Sequence, residues 1–162
     1  MKSRVFSVAA VRRVRRWVAP VAITFGVMAV AAHADVRQTS ADATIAFEGP
    51  SAKASKQYLY SRGTPLEVVV QIEGWLKVRD ALGALAWVEK KALTDRTNVQ
   101  IKSPTADALA SPDAASSIVF RAENGVLLML VTPQPPNAGA WAQVRHRDGQ
   151  VGFVRMDALF GL

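Results

Sequence analysis

The stretch "WLKVRDALGALAWVEKKAL" at residues 75–93 decides the fold, because the chain contains a second version of it, "WAQVRHRDGQVGFVRMDAL", at residues 141–159. Unrelated stretches of this length share about one identity by chance, so the match indicates an internal duplication. An aromatic residue is also kept where Trp87 becomes Phe153. Without any gap, the identical pairs are Trp75/Trp141, Val78/Val144, Arg79/Arg145, Gly83/Gly149, Val88/Val154, Ala92/Ala158 and Leu93/Leu159.

The similarity continues upstream with a small change of spacing. Pro50 matches Pro112 and Gly63 matches Gly125 at an offset of 62, whereas the two long stretches lie 66 positions apart. The difference falls in "TPQPPNAGA" (132–140), and insertions are typical of exposed loops. The spacing predicts two copies of a small domain and is too long for a repeat array.

Each copy is predicted to consist of short strands separated by Gly- and Pro-containing turns. Residues 66–72 alternate so that Leu66, Val68, Val70 and Ile72 share one face, which is typical of a half-buried strand. Residues 94–104 show little pattern. We therefore expect domains at 35–95 and 105–162, joined by a linker at 96–104. The predicted strands are 43–47, 57–61, 66–72, 75–79 and 85–88 in the first copy, and 117–122, 126–131, 141–145 and 151–154 in the second.

The first 34 residues have the pattern of a secretory signal peptide. An apolar run at 17–32, interrupted by Pro20, follows a basic segment without acids, and Ala32 and Ala34 flank a predicted cleavage point. We expect cleavage after Ala34 and a periplasmic protein; the alternative is an inner-membrane protein anchored by an uncleaved segment. The basic residues are Lys2, Arg4, Arg12, Arg13, Arg15 and Arg16.

Charge and cysteine content exclude several classes of function. The formal net charge is +7, but removal of the six basic residues of the signal segment leaves +1. The basic isoelectric point therefore gives no indication of nucleic-acid binding. The chain has no Cys, so disulfides and thiol catalysis are ruled out.

The Trp-x-x-Val-Arg segment, a turn, Gly-x-x-(Gly/Ala)-aromatic-Val and an apolar residue five positions later resemble the C-terminal half of a bacterial SH3-like (SH3b) domain. "GPSAKAS" (49–55) and "SPDAASS" (111–117) resemble the first loop of that family. Both copies depart from the family by lacking an Asn-Val-Arg segment, and Ala86 replaces a Gly that Gly152 retains. The resemblance implies an all-β protein with two tandem, partly open, five-stranded barrels that are used for binding. We expect Leu93 and Leu159 to close the two barrels.

The sequence offers little support for catalysis. His146 is the only His after the signal segment, no Gly-x-Ser-x-Gly motif accompanies it, and no His or carboxylate cluster has metal-ligand spacing. Glu67 and Glu73 are expected to be solvated. We predict a protein that is not an enzyme and has no metal or cofactor.

Aromatic side chains are the first candidates for ligand binding, since they supply rigid apolar area with a polar edge. Trp87 and Phe153 are expected to fill the barrels. Trp75 and Trp141 fit either a core or a ligand surface, and they begin the strand on which eukaryotic SH3 domains carry a ligand-contacting Trp. Tyr58 and Tyr60 share a strand face and could line the same groove.

Arg79 and Arg145 recur at one position of the unit. A guanidinium can bind a peptide carboxylate through two hydrogen bonds, but a structural ion pair with a nearby acid explains the recurrence equally well. Lys90, Lys91 and Arg96 are expected to lie on a solvated face.

Together these features predict an exported protein that binds peptidoglycan or an extended peptide segment of an envelope protein. The alternative is an accessory subunit that docks onto an envelope complex without a free ligand groove. Exposed aromatics at the Trp75 and Trp141 ends would favour the first, and a broad apolar patch on one copy would favour the second.

Overall fold

A computed structural model describes residues 35–132 and 139–162. The predicted signal segment, with Ala32 and Ala34, lies outside the described residues, as does most of the loop at 132–140. The described chain is all-β, with two antiparallel sheets of seven strands each. No helix among these residues is long and apolar enough to cross a membrane.

The first sheet is built entirely from the first copy, in the order β3-β2-β6-β5-β4-β1-β7. A single 3₁₀ turn at Lys90–Ala92 precedes its last strand. The strands are β1 (Val36–Thr39), β2 (Thr44–Phe47), β3 (Lys56–Tyr60), β4 (Pro65–Ile72), β5 (Trp75–Arg79), β6 (Leu85–Glu89) and β7 (Leu93–Asp95).

The second sheet repeats that order as β10-β9-β13-β12-β11-β8-β14. Its 3₁₀ turn at Met156–Ala158 takes the same place before the last strand. The strands are β8 (Asn98–Ile101), β9 (Thr105–Leu109), β10 (Ile118–Glu123), β11 (Leu127–Leu130), β12 (Trp141–Arg145), β13 (Val151–Arg155) and β14 (Leu159–Phe160).

Equivalent turns use equivalent backbone hydrogen bonds, which confirms the duplication at the level of the fold. The Gly83 N–H donates to the Asp80 carbonyl at 3.0 Å, and the Gly149 N–H donates to the His146 carbonyl at 2.9 Å. Both glycines have positive φ angles, of 86° and 91°. This conformation is open to Gly at little steric cost, so the turn explains why both copies keep this residue.

Each copy encloses its own buried cluster. In β5 the side chains alternate, so that Leu76 and Val78 point into the first cluster while Trp75, Lys77 and Arg79 point outward. The second cluster includes Val144, Val154 and Leu159, and Leu93 packs against the first cluster from its edge. The expected closing role of Leu93 and Leu159 is consistent with these positions.

The segment assigned to the linker contains structure that the sequence did not reveal. Asn98–Ile101 forms β8, and Val99 and Ile101 are fully buried in the second core. β1 takes the equivalent place in the first copy, and β7 and β14 each add a strand after the 3₁₀ turn. Each copy therefore has seven strands, two more than the five expected. β1 and β8 are four residues long, too short for alternation to stand out from a loop.

The alternation predicted for residues 66–72 fails beyond Val68. The pairing of β4 with β5 shifts between Val68 and Val70, which marks a β-bulge. Because a bulge changes the face to which the following side chains point, Val70 and Ile72 are exposed and only Leu66 lies deep in the core.

Few residues separate the two copies, and side chains connect them directly. β7 ends at Asp95 and β8 begins at Asn98. The Gln38 side-chain oxygen accepts hydrogen bonds from the backbone N–H groups of Thr97 and Asn98, at 3.0 and 3.1 Å. The Asn98 side chain donates to the Gly63 carbonyl at 3.2 Å. These contacts hold the second barrel against the first.

Candidate functional site

The two aligned tryptophans lie on the outer faces of their sheets. Trp75 and Trp141 are the first residues of β5 and β12, and both are partly buried and outside the buried clusters. Their neighbours Leu76 and Ala142 point inward. Both rings therefore lie outside the cores, and their contact with a ligand stays a prediction.

A groove of about 460 Å³ lies beside Trp141. The β9–β10 hairpin forms one wall, with Asp107 and Leu109, and the 3₁₀ turn forms the other, with Asp157. The Arg155 guanidinium lies 5.8 Å from the centre of the Trp141 ring, close enough for a cation–π contact. An aromatic wall and carboxylates therefore face the same space.

Ion pairs fix the charged side chains around this groove. Arg155 bonds to Asp157 at 2.7 Å, and Arg121 bonds to Asp107 through two contacts of 2.6 and 3.0 Å. Hydrogen bonding to these arginines lowers the pKa of Asp157 and of Asp107. Both carboxyl groups therefore stay ionised at neutral pH. The sequence analysis did not single out these four residues, although Arg155 and Asp157 flank the predicted Trp-containing strand pair.

The equivalent place in the first copy is more aromatic. Trp75 packs edge-on against Phe47, with ring centres 5.5 Å apart. A cavity of about 470 Å³ is lined by Trp75, another of about 280 Å³ is lined by Phe47, and both have Glu89 in their walls. Lys91 forms an ion pair with Glu89 at 2.8 Å. Its side chain is exposed to solvent, as expected, and it also lines the cavity beside Trp75.

Trp87 does not fill the first barrel, contrary to expectation. It lies on the outer face of β6, partly buried, with the Lys77 ammonium 6.0 Å from its ring centre. Phe153 is buried at 9 % exposure, but it also lies outside the core cluster, and its strand neighbour on β9 is Leu109. The adjacent inward positions hold the small residues Ala86 and Gly152, so other side chains fill the volume of the two cores.

Tyr58 and Tyr60 are not brought together with Trp75. Their rings stack at 6.1 Å, and the Tyr60 hydroxyl donates to Asp80 at 3.2 Å. Asp80 follows the end of β5, whereas Trp75 begins it, so the strand separates them by about 17 Å. Tyr60 is a core residue, and burial together with the nearby Asp80 raises its pKa.

The recurring arginines have different surroundings. Arg79 lies 3.5 Å from Glu67 on the neighbouring strand, which fits the structural ion pair. Arg145 lies opposite Met129 at the same register, and it has no ion-pair partner among residues 35–132 and 139–162. The duplicated position therefore has two local roles.

Nothing in the described part of the chain groups three or more His, Asp or Glu side chains in a way that could hold a metal ion. His146 Nδ1 lies 3.0 Å from Asp148, but it is buried without a well-directed hydrogen bond. Arg96 departs from the expected solvated position, since one of its terminal nitrogens is buried without a partner.

Solved structures with low similarity to this chain include the following three. Two are NlpC2 and NlpC1 from Trichomonas vaginalis, 15% and 16% identical, each with a TM-score of 0.34. They cover 77% and 76% of this chain and 46% and 44% of their own. The third is an NlpC/P60 family protein from Bacillus cereus ATCC 10987, at 14% identity and a TM-score of 0.36, covering 77% of this chain and 55% of its own. This chain thus spans about half of their length.

No curated protein matches the chain significantly. The family model for the bacterial SH3 domain matches it twice, at residues 40–95 and at residues 102–161. The two matched segments coincide with the two sheets, apart from the first strand of each. The chain therefore belongs to the bacterial SH3 domain family and contains two tandem domains.

Proposed function

We propose that this protein is an exported, non-catalytic binding protein that recognises a peptide-like ligand, in peptidoglycan or in an extended segment of an envelope protein. The observation that carries the proposal is the Trp141 ring, which lies outside the core beside a groove of about 460 Å³. Concave sites with apolar walls and a few polar groups are typical of ligand binding.

The groove offers chemistry suited to a peptide. Trp141 and Leu109 supply apolar area, while Asp107 and Asp157 supply carboxylates that are already held in place by arginines. Fixed side chains lose little conformational entropy on binding. A ligand with apolar groups and an amine or amide fits this arrangement.

A direct test uses intact peptidoglycan sacculi beside an envelope extract. The full chain should sediment with sacculi or capture a partner from the extract, and Trp141→Ala should reduce that binding. Trp75→Ala is the matched variant in the first copy, and comparing the two identifies the domain that binds. Full retention of binding by both variants and by the double variant would contradict the proposal.

A second function, permanent docking as an accessory subunit, is favoured by the apolar surface of the first copy. Eight of the eleven exposed large apolar side chains in the described chain belong to this copy, and exposed apolar area often marks a protein contact. They are Ile45, Tyr58, Leu59, Val69, Val70, Ile72, Leu82 and Leu85. Co-purification at fixed stoichiometry, unaffected by the Trp variants, would favour docking.

Export is tested separately by the mass of the protein recovered from cells. Cleavage after Ala34 gives a mature chain that begins at Asp35. Recovery of this species from the periplasm is the expected result. A species that keeps residues 1–34 and sediments with membranes would instead support the anchored alternative.

A further inference from the structure

A second groove, of about 620 Å³, lies beside Arg145 in the second domain. Arg145 ends the strand that Trp141 begins, so the two grooves are at opposite ends of β12, about 13 Å apart along the strand. The floor is apolar, formed by Leu127 and Met129. Arg147 and His146 join Arg145 in the wall, and none of the described residues that line the groove is an Asp or Glu.

One difference between the copies removes the acidic residue that would lie opposite Arg145. In the first domain, Glu67 occupies the register position opposite Arg79 and lies 3.5 Å from it. In the second domain, Met129 occupies that position opposite Arg145. Arg145 is exposed and forms no ion pair with any described residue, so its guanidinium is available to a ligand.

The carboxylate of Asp148, in the same turn, lies close to two other groups. Asp148 lies 3.0 Å from His146 Nδ1 and 3.8 Å from the Arg147 guanidinium. The His146 ring packs against Phe120, with ring centres 5.5 Å apart, which holds it in the wall. The local charge, counting Arg145, Arg147 and Asp148, is therefore positive before any contribution from His146.

We propose that this groove binds an organic oxyanion: a carboxylate or phosphate group at Arg145 and Arg147, attached to a short apolar body lying on Leu127 and Met129. Guanidinium groups bind both anions through paired, charge-assisted hydrogen bonds. The apolar floor adds burial that a simple inorganic ion cannot provide. The site is separate from the Trp141 groove, so either can exist without the other.

The test titrates the isotope-labelled full chain with hexanoate, hexyl phosphate and hexanol, and follows the Arg side-chain and backbone NMR signals. Saturable shifts of Arg145, His146 and Arg147 with either anion, weakened by added salt and absent with hexanol, are expected. The preferred anion distinguishes carboxylate from phosphate. Equal binding of hexanol, or shifts spread over the arginines of both domains, would overturn the proposal.

Two variants and one control complete the test. Arg145→Gln should weaken anion binding about tenfold. Met129→Glu should do the same, because it places a carboxylate opposite Arg145 as in the first domain. Arg79→Gln is the matched control and should leave the affinity unchanged. Met129 is exposed, so M129E is expected to fold, and its amide spectrum confirms this. Undiminished binding by both R145Q and M129E would also overturn the proposal.

Discussion

The two domains share a backbone but differ in the side chains they present to solvent. At one register position of the first hairpin, Ile45 faces Leu59 in the first domain, at 38 % and 68 % exposure. Asp107 faces Arg121 at the equivalent position of the second, and they form a salt bridge of 2.6 Å. The fold tolerates either pair, because both are outside the core. The two copies thus keep the same barrel while presenting different side chains on the surface.

The same contrast appears at the turn that follows β5 and β12. The first domain has the exposed Leu82 where the second has Asp148. Just before this turn, Arg79 pairs with Glu67 in the first domain, whereas Arg145 of the second has no ion-pair partner among the described residues. The first domain therefore has the more apolar surface. This division fits a first domain that makes a protein contact and a second domain that binds smaller charged ligands.

The largest expected effect comes from charging equivalent core positions. Val78 and Val144 are fully buried in the two clusters, so Val78→Asp or Val144→Asp places an unpaired charge in a core. Each should cost about 3–5 kcal/mol and unfold its own domain. Thermal unfolding followed by domain-specific NMR signals measures this. If both variants melt like the wild type, Val78 and Val144 are not buried in the two cores as the strand registers place them.

High pH should distinguish the domains by a smaller amount. Burial and the proximity of Asp80 raise the pKa of Tyr60 above its ordinary value of 10.0, so the unfolded chain loses this proton first. Stability of the first domain is therefore complete below pH 10 and should fall above it, by at most about 1.4 kcal/mol per pH unit.

The second domain has Ala122 in the place of Tyr60 and contains no Tyr, so it lacks this source of alkaline sensitivity. Tyr60→Phe should remove the dependence from the first domain. Chemical denaturation at several pH values above 10 gives the comparison. A first domain whose sensitivity is unchanged in Y60F would show that another group is responsible.

The smallest effect is expected from exchanging the surface pairs. The double variant Ile45→Asp with Leu59→Arg gives the first domain the ion pair of the second. Exposed pairs of either kind contribute less than about 1 kcal/mol, so the melting temperature should change little while the exposed apolar area falls. Loss of co-purifying envelope proteins would favour docking through this surface. A large loss of stability would mean that Ile45 and Leu59 pack more closely than their exposure indicates.

The sequence was sufficient for the duplication and for the longer strands. Strands β5 and β12 were predicted with their observed bounds, because a Trp, an inward Val and a turn Gly recur together. The strands β1, β7, β8, β9 and β14 were missed, since runs of two to five residues give too little alternation to identify a strand. The bulge in β4 was also missed, because it depends on pairing with β5 and leaves no local signal.

Predicting the site was harder because the same residues serve different purposes in the two copies. The sequence placed Trp75 and Trp141 correctly at a strand start, but it could not distinguish the outer face from the core. Trp87 was assigned to the core by its size alone, whereas its outward position depends on the register with β2 and β5. The different surroundings of Arg79 and Arg145 depend on the residue opposite each of them in the neighbouring strand, which is Glu67 in the first domain and Met129 in the second.

The most direct test of the ligand groove measures binding and melting on the same samples of wild type, Trp75→Ala and Trp141→Ala. A Trp at a ligand surface contributes about 2 kcal/mol or more to binding, and its removal should leave melting within a few degrees of the wild type. We predict that result for Trp141→Ala with sacculi or with the captured partner. A loss of about 3–5 kcal/mol of stability, as for a core Trp, or full binding by a stable variant, would contradict the account.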